Sequence, residues 1–367
     1  MLRRANGTTI RIASKSVRVR GVMDAVLSLP GFAGVMAYTL PEALWLAAGD
    51  DEHAGYADVV VGYPSVDRTA IRSLATDPLL AARITLMVDS IDQLDLIDAV
   101  LPPGRRETIR LALEVDASWK SPALGHMGTW RSPVHSVDDA RSLAEQIVAR
   151  PGFSLVGMMA YESQIAGLIN DPVNPVRGAV VRWIQRKSAS ELAARRGSVV
   201  AAVRQLADLE FVNGGGTGSL ESTSSEDAVT EISAGSGLFG PHLFDHYRHF
   251  TPAPAAAFAL SVARKPTPRM ATLLGGGWVA SGPPAVDRLP VVAWPEGTAM
   301  VATEKAGEIQ TPLRGAAAER LTVGDRVWLR HTKAGELSEH LSEFAIVDGD
   351  RVTGMLPTYR GEGKSFL

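Results

Sequence analysis

Apolar runs rich in β-branched and small residues alternate with stretches of helical periodicity through the first two thirds of the chain. Strands buried on both faces read as continuous apolar runs, which is typical of a parallel sheet covered by helices. Eight such strand-plus-helix units predict a (β/α)8 barrel. A doubly wound sheet is the alternative, but its GxGxxG fingerprint after the first strand is absent. The predicted strands are 10–17, 34–38, 57–62, 83–88, 109–115, 154–160, 210–213 and 229–233.

The pattern changes near Phe250, where the run Thr-Pro-Ala-Pro at 251–254 ends the helical periodicity. Short β-like runs then follow one another, separated by Gly, Pro and Asp. Such texture is typical of a small all-β domain. We therefore predict an N-terminal barrel domain at 1–249 and a C-terminal β domain at 250–367. The β-like runs are 258–262, 269–274, 299–303, 326–329, 344–347 and 351–355.

Composition narrows the class of protein. The chain has 367 residues, 46% hydrophobic and 21% charged, which fits a globular protein of two domains. A formal net charge of -3 gives no reason to expect a nucleic-acid partner. Because there is no cysteine, no signal-peptide pattern and no apolar run long enough to span a bilayer, we expect a cytoplasmic protein without a membrane partner.

Lys15 stands within the first predicted strand, in the run Ala-Ser-Lys-Ser-Val-Arg at 13–18. Burial disfavours the ammonium form of a lysine, which suits a lysine that acts as an amine nucleophile. The alternative is a lysine at a strand end whose ammonium group reaches solvent. Two glycine-rich turns later in the chain favour the nucleophile.

The first of these turns, Asn-Gly-Gly-Gly-Thr-Gly-Ser at 213–219, follows the seventh predicted strand, and the second, Ala-Gly-Ser-Gly-Leu at 234–238, follows the eighth. Glycine lets the backbone approach a ligand closely, and successive exposed N–H groups form an anion nest. Barrels commonly bind phosphate in the loops after these two strands. Tight turns without a ligand are the alternative. The candidate phosphate-binding residues are Gly215, Gly216, Thr217, Gly218, Gly235 and Ser236.

A phosphate site opposite a lysine on strand 1 describes a site for pyridoxal 5′-phosphate (PLP), which a lysine holds as a Schiff base. Residues that reach the cofactor ring would come from the middle strands. Tyr161 and Arg131 are candidates for that contact, and Gln164 is a candidate for contact with phosphate or substrate.

With Tyr-Glu-Ser-Gln-Ile-Ala-Gly at 161–167 and Pro-Thr-Tyr-Arg-Gly-Glu-Gly at 357–363, the motifs above resemble those of the alanine-racemase-fold (fold type III) PLP enzymes. The D-threonine aldolase and D-serine dehydratase-like group, the amino-acid deaminase/aldolase group, is the most similar. The resemblance covers nearly the whole chain. It implies that Lys15 holds PLP, that the glycine-rich loops bind its phosphate, and that Tyr161 lies near its ring. It also implies a small amino-acid substrate and active sites completed across a homodimer.

Two features depart from that group. Its members usually carry some tens of residues before the lysine strand, whereas Lys15 comes almost at once here. They also carry a divalent metal on a His-x-Cys or His-x-Asp pair, which polarises the β-hydroxyl of the substrate. In this chain His331 stands at the first ligand position and Lys333 at the second, with Glu336 as a weak substitute ligand. We predict no firmly bound metal, only a remnant of a site at His331.

The sequence thus predicts a PLP-dependent lyase that acts on 3-hydroxy D-amino acids by retro-aldol cleavage or β-elimination. Lys15, His331 and Lys333 are the predicted catalytic residues, the last two at the hydroxyl proton. One alternative is an amino-acid racemase, whose second base would be Tyr359. A non-catalytic PLP-binding or PLP-homeostasis protein, or a degenerate relative, is the other.

Overall fold

The computed structural model describes residues 1–282 and 285–366. Eight parallel strands close into a barrel in the order β1-β10-β9-β8-β5-β4-β3-β2, which confirms the predicted (β/α)8 architecture. Two further strands, β6 and β7, form a small antiparallel hairpin outside the barrel. The strands of this part are β1 (Thr9–Ala13), β2 (Phe32–Ala37), β3 (Val59–Val61), β4 (Ile84–Val88), β5 (Ile109–Glu114), β6 (Trp119–Ser121), β7 (Gly125–Met127), β8 (Phe153–Ala160), β9 (Phe211–Gly214) and β10 (Glu231–Ala234).

Helices cover the outside of the barrel, and several begin at polar caps. Thr39 caps the second helix, whose first turn also holds a proline, and Ser136 forms a capping box with Asp139. None of the described helices is both long and apolar enough to cross a membrane. They are α1 (Arg20–Leu27), α2 (Leu40–Ala48), α3 (Arg68–Thr76), α4 (Pro78–Arg83), α5 (Ile91–Val100), α6 (Val137–Ala149), α7 (Ser163–Ala166), α8 (Pro175–Val203) and α9 (Leu220–Thr223).

The C-terminal part contains a six-stranded antiparallel sheet in the order β13-β16-β11-β12-β15-β14 and a separate hairpin of β17 and β18. It also holds a short helix, α10 (Ala334–His340), which the sequence pattern did not predict. The position of the domain boundary stays a prediction. The strands are β11 (Phe258–Thr267), β12 (Met270–Leu274), β13 (Val291–Trp294), β14 (Ala299–Met300), β15 (Gln310–Arg314), β16 (Arg326–Arg330), β17 (Glu343–Asp348) and β18 (Arg351–Pro357).

One apolar cluster joins the C-terminal sheet to the β1–β2 side of the barrel, with Ile12 and Met23 packed in the same core as Phe258 and Leu329. Tyr359 strengthens this junction, because its hydroxyl donates to Glu42 Oε1 at 2.9 Å and its backbone N–H donates to the Arg18 carbonyl at 2.9 Å. The C-terminal part is thereby held over the end of β1, where Lys15 lies.

The placement of Lys15 inside a buried strand is wrong in detail. β1 ends at Ala13, and Lys15 lies in a single 3₁₀ turn, Ser14–Ser16. The pairing of β1 ends there: its last paired residues are Ala13 with Met36 of β2 and Ile12 with Ala234 of β10. Lys15 is therefore half-buried at the carboxyl end of the strand, the edge at which barrels carry their functional side chains.

Candidate active site

A cavity of about 670 Å³ lies at the carboxyl ends of the barrel strands, with residues of the C-terminal part on its far side. The structure brings most of the predicted site residues to this one cavity, although their roles stay predictions. Gly218 and His331 are not among its lining residues. The predicted residues that line it are Lys15, Arg131, Tyr161, Gln164, Gly215, Gly216, Thr217, Gly235, Ser236 and Lys333.

Lys15 is held by contacts from both parts of the chain. Its Nζ donates a hydrogen bond of 2.6 Å to the hydroxyl of Tyr63, which follows β3. Behind it, a Cβ on Gly335 would lie 1.7 Å from the Lys15 carbonyl oxygen, so only glycine allows α10 to approach this closely. Burial raises the pKa of Tyr63, but the Lys15 ammonium and Arg131 more than offset this effect and hold the pKa below its usual value. Lys15 and Tyr63 thus form a hydrogen-bonded pair in the cavity.

Arg131 lies between two aromatic rings of the cavity wall, with its guanidinium carbon 4.9 Å from the ring centre of Tyr161 and 5.7 Å from that of Tyr63. Its Nη1 is 3.8 Å from Glu114 Oε1. Burial raises the pKa of Glu114 to about 7, although Arg131 acts in the opposite direction. Burial also raises the pKa of Tyr161 to about 12, so this phenol is neutral. The wall here is aromatic with one fixed cation.

Gln164 is fixed in the same wall by two hydrogen bonds. Its Nε2 donates to the Ala117 carbonyl at 2.6 Å and to Ser188 Oγ of α8 at 2.8 Å. Its Oε1 is buried and has no partner among the described residues. The amide is therefore fixed in orientation and leaves one acceptor free beside the cavity.

A buried ion network supports the first glycine-rich loop from behind. Glu162 Oε2 accepts from the Gly215 N–H at 3.0 Å and from Arg196 Nη2 at 2.9 Å, and its Oε1 accepts from Thr223 Oγ1 at 2.5 Å. Arg196, a residue of α8, also pairs with Glu226 at 2.7 Å. Gly215 has φ of +70°, a left-handed conformation that favours glycine. The conformation of this loop is set by buried charges.

The two glycine-rich loops contact each other at the cavity. The Gly237 N–H donates to Thr217 Oγ1 at 3.1 Å, and Ser236 Oγ donates to Ser16 Oγ beside Lys15 at 3.1 Å. The N–H groups of Thr217 and Ser236 donate no hydrogen bond to any residue that the structure describes. Free N–H groups and hydroxyls gathered around glycines fit an anion such as a phosphate monoester.

The C-terminal part supplies the opposite wall. Lys333 Nζ donates to the Ser281 carbonyl at 2.8 Å and to Ser281 Oγ at 3.0 Å. Burial lowers the pKa of Lys333, Glu336 raises it, and the positive charges of Arg288 and Lys15 lower it, with a net decrease. Arg288 and Glu336 line the cavity beside Lys333. This wall places two cations and one carboxylate across the cavity from the two glycine-rich loops.

His331 lines a separate small pocket of about 20 Å³ that shares Thr332, Lys333 and Glu336 with the main cavity, and it packs edge-on against Phe239. Burial, with His242 and Arg330, lowers the pKa of His331 to about 4, so its ring is neutral. Within residues 1–282 and 285–366, no group of three or more His, Asp or Glu side chains is arranged to hold a metal ion. The ammonium of Lys333 is no metal ligand either, and the absence of a firmly bound metal stays a prediction.

Sequence reasoning missed three residues of the site. Tyr63 carried a usable signal, because it directly follows a predicted strand. Gly335 and Arg288 carried none, since both act through contacts made when the C-terminal part packs on the barrel.

Comparison with known proteins was made at the level of sequence and of structure. No family model matches the chain. Over 225 residues it is 28% identical to 3-hydroxy-D-aspartate aldolase of Paracoccus denitrificans, a match that covers 61% of this chain. The match spans about half the length of that curated relative, 51%.

Solved structures match along nearly the whole chain. D-threonine aldolase from Filomicrobium marinum has a TM-score of 0.75 at 21% identity, covering 97% of this chain and 89% of the other. D-threo-3-hydroxyaspartate dehydratase from Delftia sp. HT23 has 0.71 at 20%, covering 97% and 92%. Alanine racemase from Bacillus anthracis has 0.61 at 13%, covering 97% and 92%. The chain therefore has the alanine-racemase fold, which confirms the resemblance at the level of the fold.

Proposed function

We propose that this protein is a PLP-dependent lyase that cleaves 3-hydroxy D-amino acids by retro-aldol reaction or by β-elimination. The observation that carries the proposal is the single cavity in which Lys15 faces two linked glycine-rich loops. The names of the curated relative and of two structural neighbours, aldolases and a dehydratase of this substrate class, support it.

The residues present fit PLP. Thr217, Ser236 and the adjoining glycines would hold its phosphate, Tyr161 and Arg131 would contact its ring, and Lys15 would bind it covalently. Gly218 belongs to the loop but does not line the cavity; a Cβ there would lie 2.1 Å from the Ala166 carbonyl oxygen, so its proposed role is to allow that packing. When bound, PLP supplies an electron sink for the bond that breaks at the substrate Cα.

The chain's own residues supply the proton steps. Tyr63 holds the Lys15 amine at 2.6 Å and can exchange a proton with it, which prepares Lys15 as a base. Lys333, whose pKa is lowered, is the cavity residue suited to exchange a proton with the β-hydroxyl. His331 lies outside the cavity lining and is neutral, so we assign it a supporting position beside Lys333.

Racemisation needs a second base on the opposite face of Cα. Tyr359 is the only tyrosine after residue 250. It is fully buried, donates to Glu42 and does not line the cavity, so it does not supply that base within this chain. This observation favours the lyase over the racemase.

We also propose a homodimer in the cytoplasm. Exposed apolar side chains lie near the cavity: Leu168 lines it, and Trp130 and Trp183 are next in sequence to the lining residues Arg131 and Ile184. A large exposed apolar patch is typical of an interaction surface. The absence of cysteine supports a reducing compartment.

The test begins with the visible absorbance of the purified protein after addition of PLP, followed by titration with D-threonine, D-serine and D-3-hydroxyaspartate. We expect the band of lysine-bound PLP, a spectral change with a D-amino acid, and release of glycine or of a keto acid. Lys15→Ala should abolish the band and reduce turnover by at least about 10³-fold. Lys187→Ala, on the exposed face of α8, is the matched control. A Lys15→Ala variant that keeps full turnover contradicts the proposal, as does a protein that binds no PLP.

A further inference from the structure

Arg288 is a cation in the wall of the cavity that no described carboxylate approaches at hydrogen-bond distance. Its side chain is only 19% exposed, and its Nε and Nη1 are buried without an acceptor among the described residues. The nearest carboxylate, that of Asp287, lies 4.0 Å from Nε. A buried charge without a partner carries a large desolvation cost, so a cation retained in this state calls for an anionic ligand.

The surroundings of Arg288 hold it in place. Its carbonyl accepts from the Ala280 N–H at 2.8 Å, and its guanidinium packs against Gly282, where a Cβ would lie 3.0 Å from Nε. Glu336 does not neutralise it: Glu336 Oε1 accepts from the Ser281 N–H at 2.8 Å, and no ion pair joins the two side chains within 4 Å. The guanidinium is thus fixed beside the cavity and left uncompensated.

The position of Lys333 indicates which part of the substrate would face Arg288. Lys333 holds Ser281, lines the same wall, and is the residue that the proposed function places at the β-hydroxyl. Arg288 lines the same cavity and its charge acts on Lys333, so we expect the other substituent on the same β-carbon to lie near Arg288. A methyl group at this position would leave the guanidinium unpaired, whereas a carboxylate would accept hydrogen bonds from it.

Resting on the proposed function, we propose that Arg288 binds a second carboxylate on the β-carbon of the substrate. The preferred substrate class is therefore a 3-hydroxy D-amino dicarboxylic acid, and aliphatic substrates such as D-threonine bind less tightly. Arg288 is the specificity-determining residue of this subsite.

The test uses two probes that lack the amino group and differ only at the β-carbon: malate, which carries the second carboxylate, and 3-hydroxybutyrate, which carries a methyl group. We expect calorimetric titration of the protein with PLP added to show malate binding about ten- to a hundredfold tighter, because a hydrogen bond to a charged group contributes about 1.5–3 kcal/mol. Arg288→Met should remove this preference and Arg288→Lys should restore part of it. Arg269→Met, on an exposed turn of the same sheet, should keep it.

Equal affinity for both probes in the unaltered protein would overturn the proposal. So would an equal loss of affinity for both probes in Arg288→Met, since Arg288 would then bind the carboxylate that all substrates share. The measurement does not depend on turnover. A protein that prefers malate through Arg288 but cleaves no D-amino acid would refute the proposed lyase and leave the anion subsite standing.

Discussion

The two walls of the cavity differ in how their charged side chains are paired. On the barrel side, Arg196 lies between Glu162 and Glu226, and Glu162 accepts the N–H of Gly215, so buried charges are matched. On the C-terminal side, the carboxylate nearest to Arg288, that of Asp287, is 4.0 Å from Nε, and Lys333 is held by neutral oxygens of Ser281. The charged groups behind the first glycine-rich loop are paired without a ligand, whereas Arg288 in the other wall has no carboxylate at hydrogen-bond distance.

This difference suggests a division of labour. A site for a permanent cofactor benefits from a preorganised loop, because the loop then needs no reorganisation when the cofactor binds. A site for a substrate that enters and leaves needs groups whose partners are supplied by the substrate. Under the proposed function, we expect the charge balance of each wall to reflect how long its ligand stays.

The strongest challenge to the matched wall is Arg196→Met. It leaves two buried carboxylates without a cation, and we expect a loss of about 3–5 kcal/mol in the free energy of unfolding, measured by urea denaturation. Discrimination between PLP and pyridoxal should also fall, because the phosphate loop loses its support. Arg186→Met, exposed on the same helix, should change neither quantity. Unchanged discrimination in Arg196→Met would limit the network to a structural role.

Tyr63→Phe tests the contact between the barrel and the reactive amine. It removes the hydrogen bond to Lys15, and we expect kcat to fall by about ten- to a hundredfold, or about 1.5–3 kcal/mol. The pH profile of kcat should also move, since the lysine loses its acid–base partner. Tyr56→Phe is the control, because the Tyr56 hydroxyl donates to Asp24 away from the cavity. An unshifted pH profile would count against proton exchange between Tyr63 and Lys15.

Glu42 accepts a hydrogen bond from Tyr359 at the junction between the barrel and the C-terminal part, so its titration tests how that junction contributes to stability. Burial raises the pKa of Glu42 to about 7 from an ordinary 4.5, although hydrogen bonds from the Tyr38 N–H and the Tyr359 hydroxyl, and the Arg18 charge, act in the opposite direction. Between these values the folded state binds more protons than the unfolded state, so stability falls as pH rises from 4.5 to 7. The contribution of this one group is at most about 1.4 kcal/mol per pH unit.

Glu42→Gln should flatten this part of the stability curve, measured by urea denaturation across that pH window. Glu343→Gln, at an exposed position of β17, should leave the slope unchanged. An identical slope in Glu42→Gln would mean that the carboxyl of Glu42 is ionised throughout.

The smallest expected effect is also the most direct comparison. Arg288→Met should change the free energy of unfolding by less than about 0.5 kcal/mol or raise it, because it removes a buried cation that lacks a partner. The same substitution at Arg196 is strongly destabilising. The two variants are compared by urea denaturation. An equal loss of stability in both would contradict the proposed difference between the walls.

How much the sequence could predict differs between the walls. The barrel wall follows from local pattern: strand ends lie at one edge of a parallel barrel, so Lys15 and the two glycine-rich turns had to lie close together. The exact end of β1 did not follow, because it depends on where β2 and β10 stop pairing. The position of His331 did not follow either, since it depends on how β16 and α10 pack.

By itself, the sequence determined the (β/α)8 barrel, the β-rich C-terminal part, and the edge of the barrel that carries the chemistry. Alternation of strand and helix is a local property of the sequence. Because the strands are parallel, their carboxyl ends lie at one edge of the barrel. Only the tertiary structure decided that Tyr63 contacts Lys15, that Gly335 allows α10 to pack behind it, and that Arg288 lines the cavity with no carboxylate at hydrogen-bond distance. These contacts join residues far apart in the chain, and the apolar packing of the C-terminal sheet on the barrel brings them together.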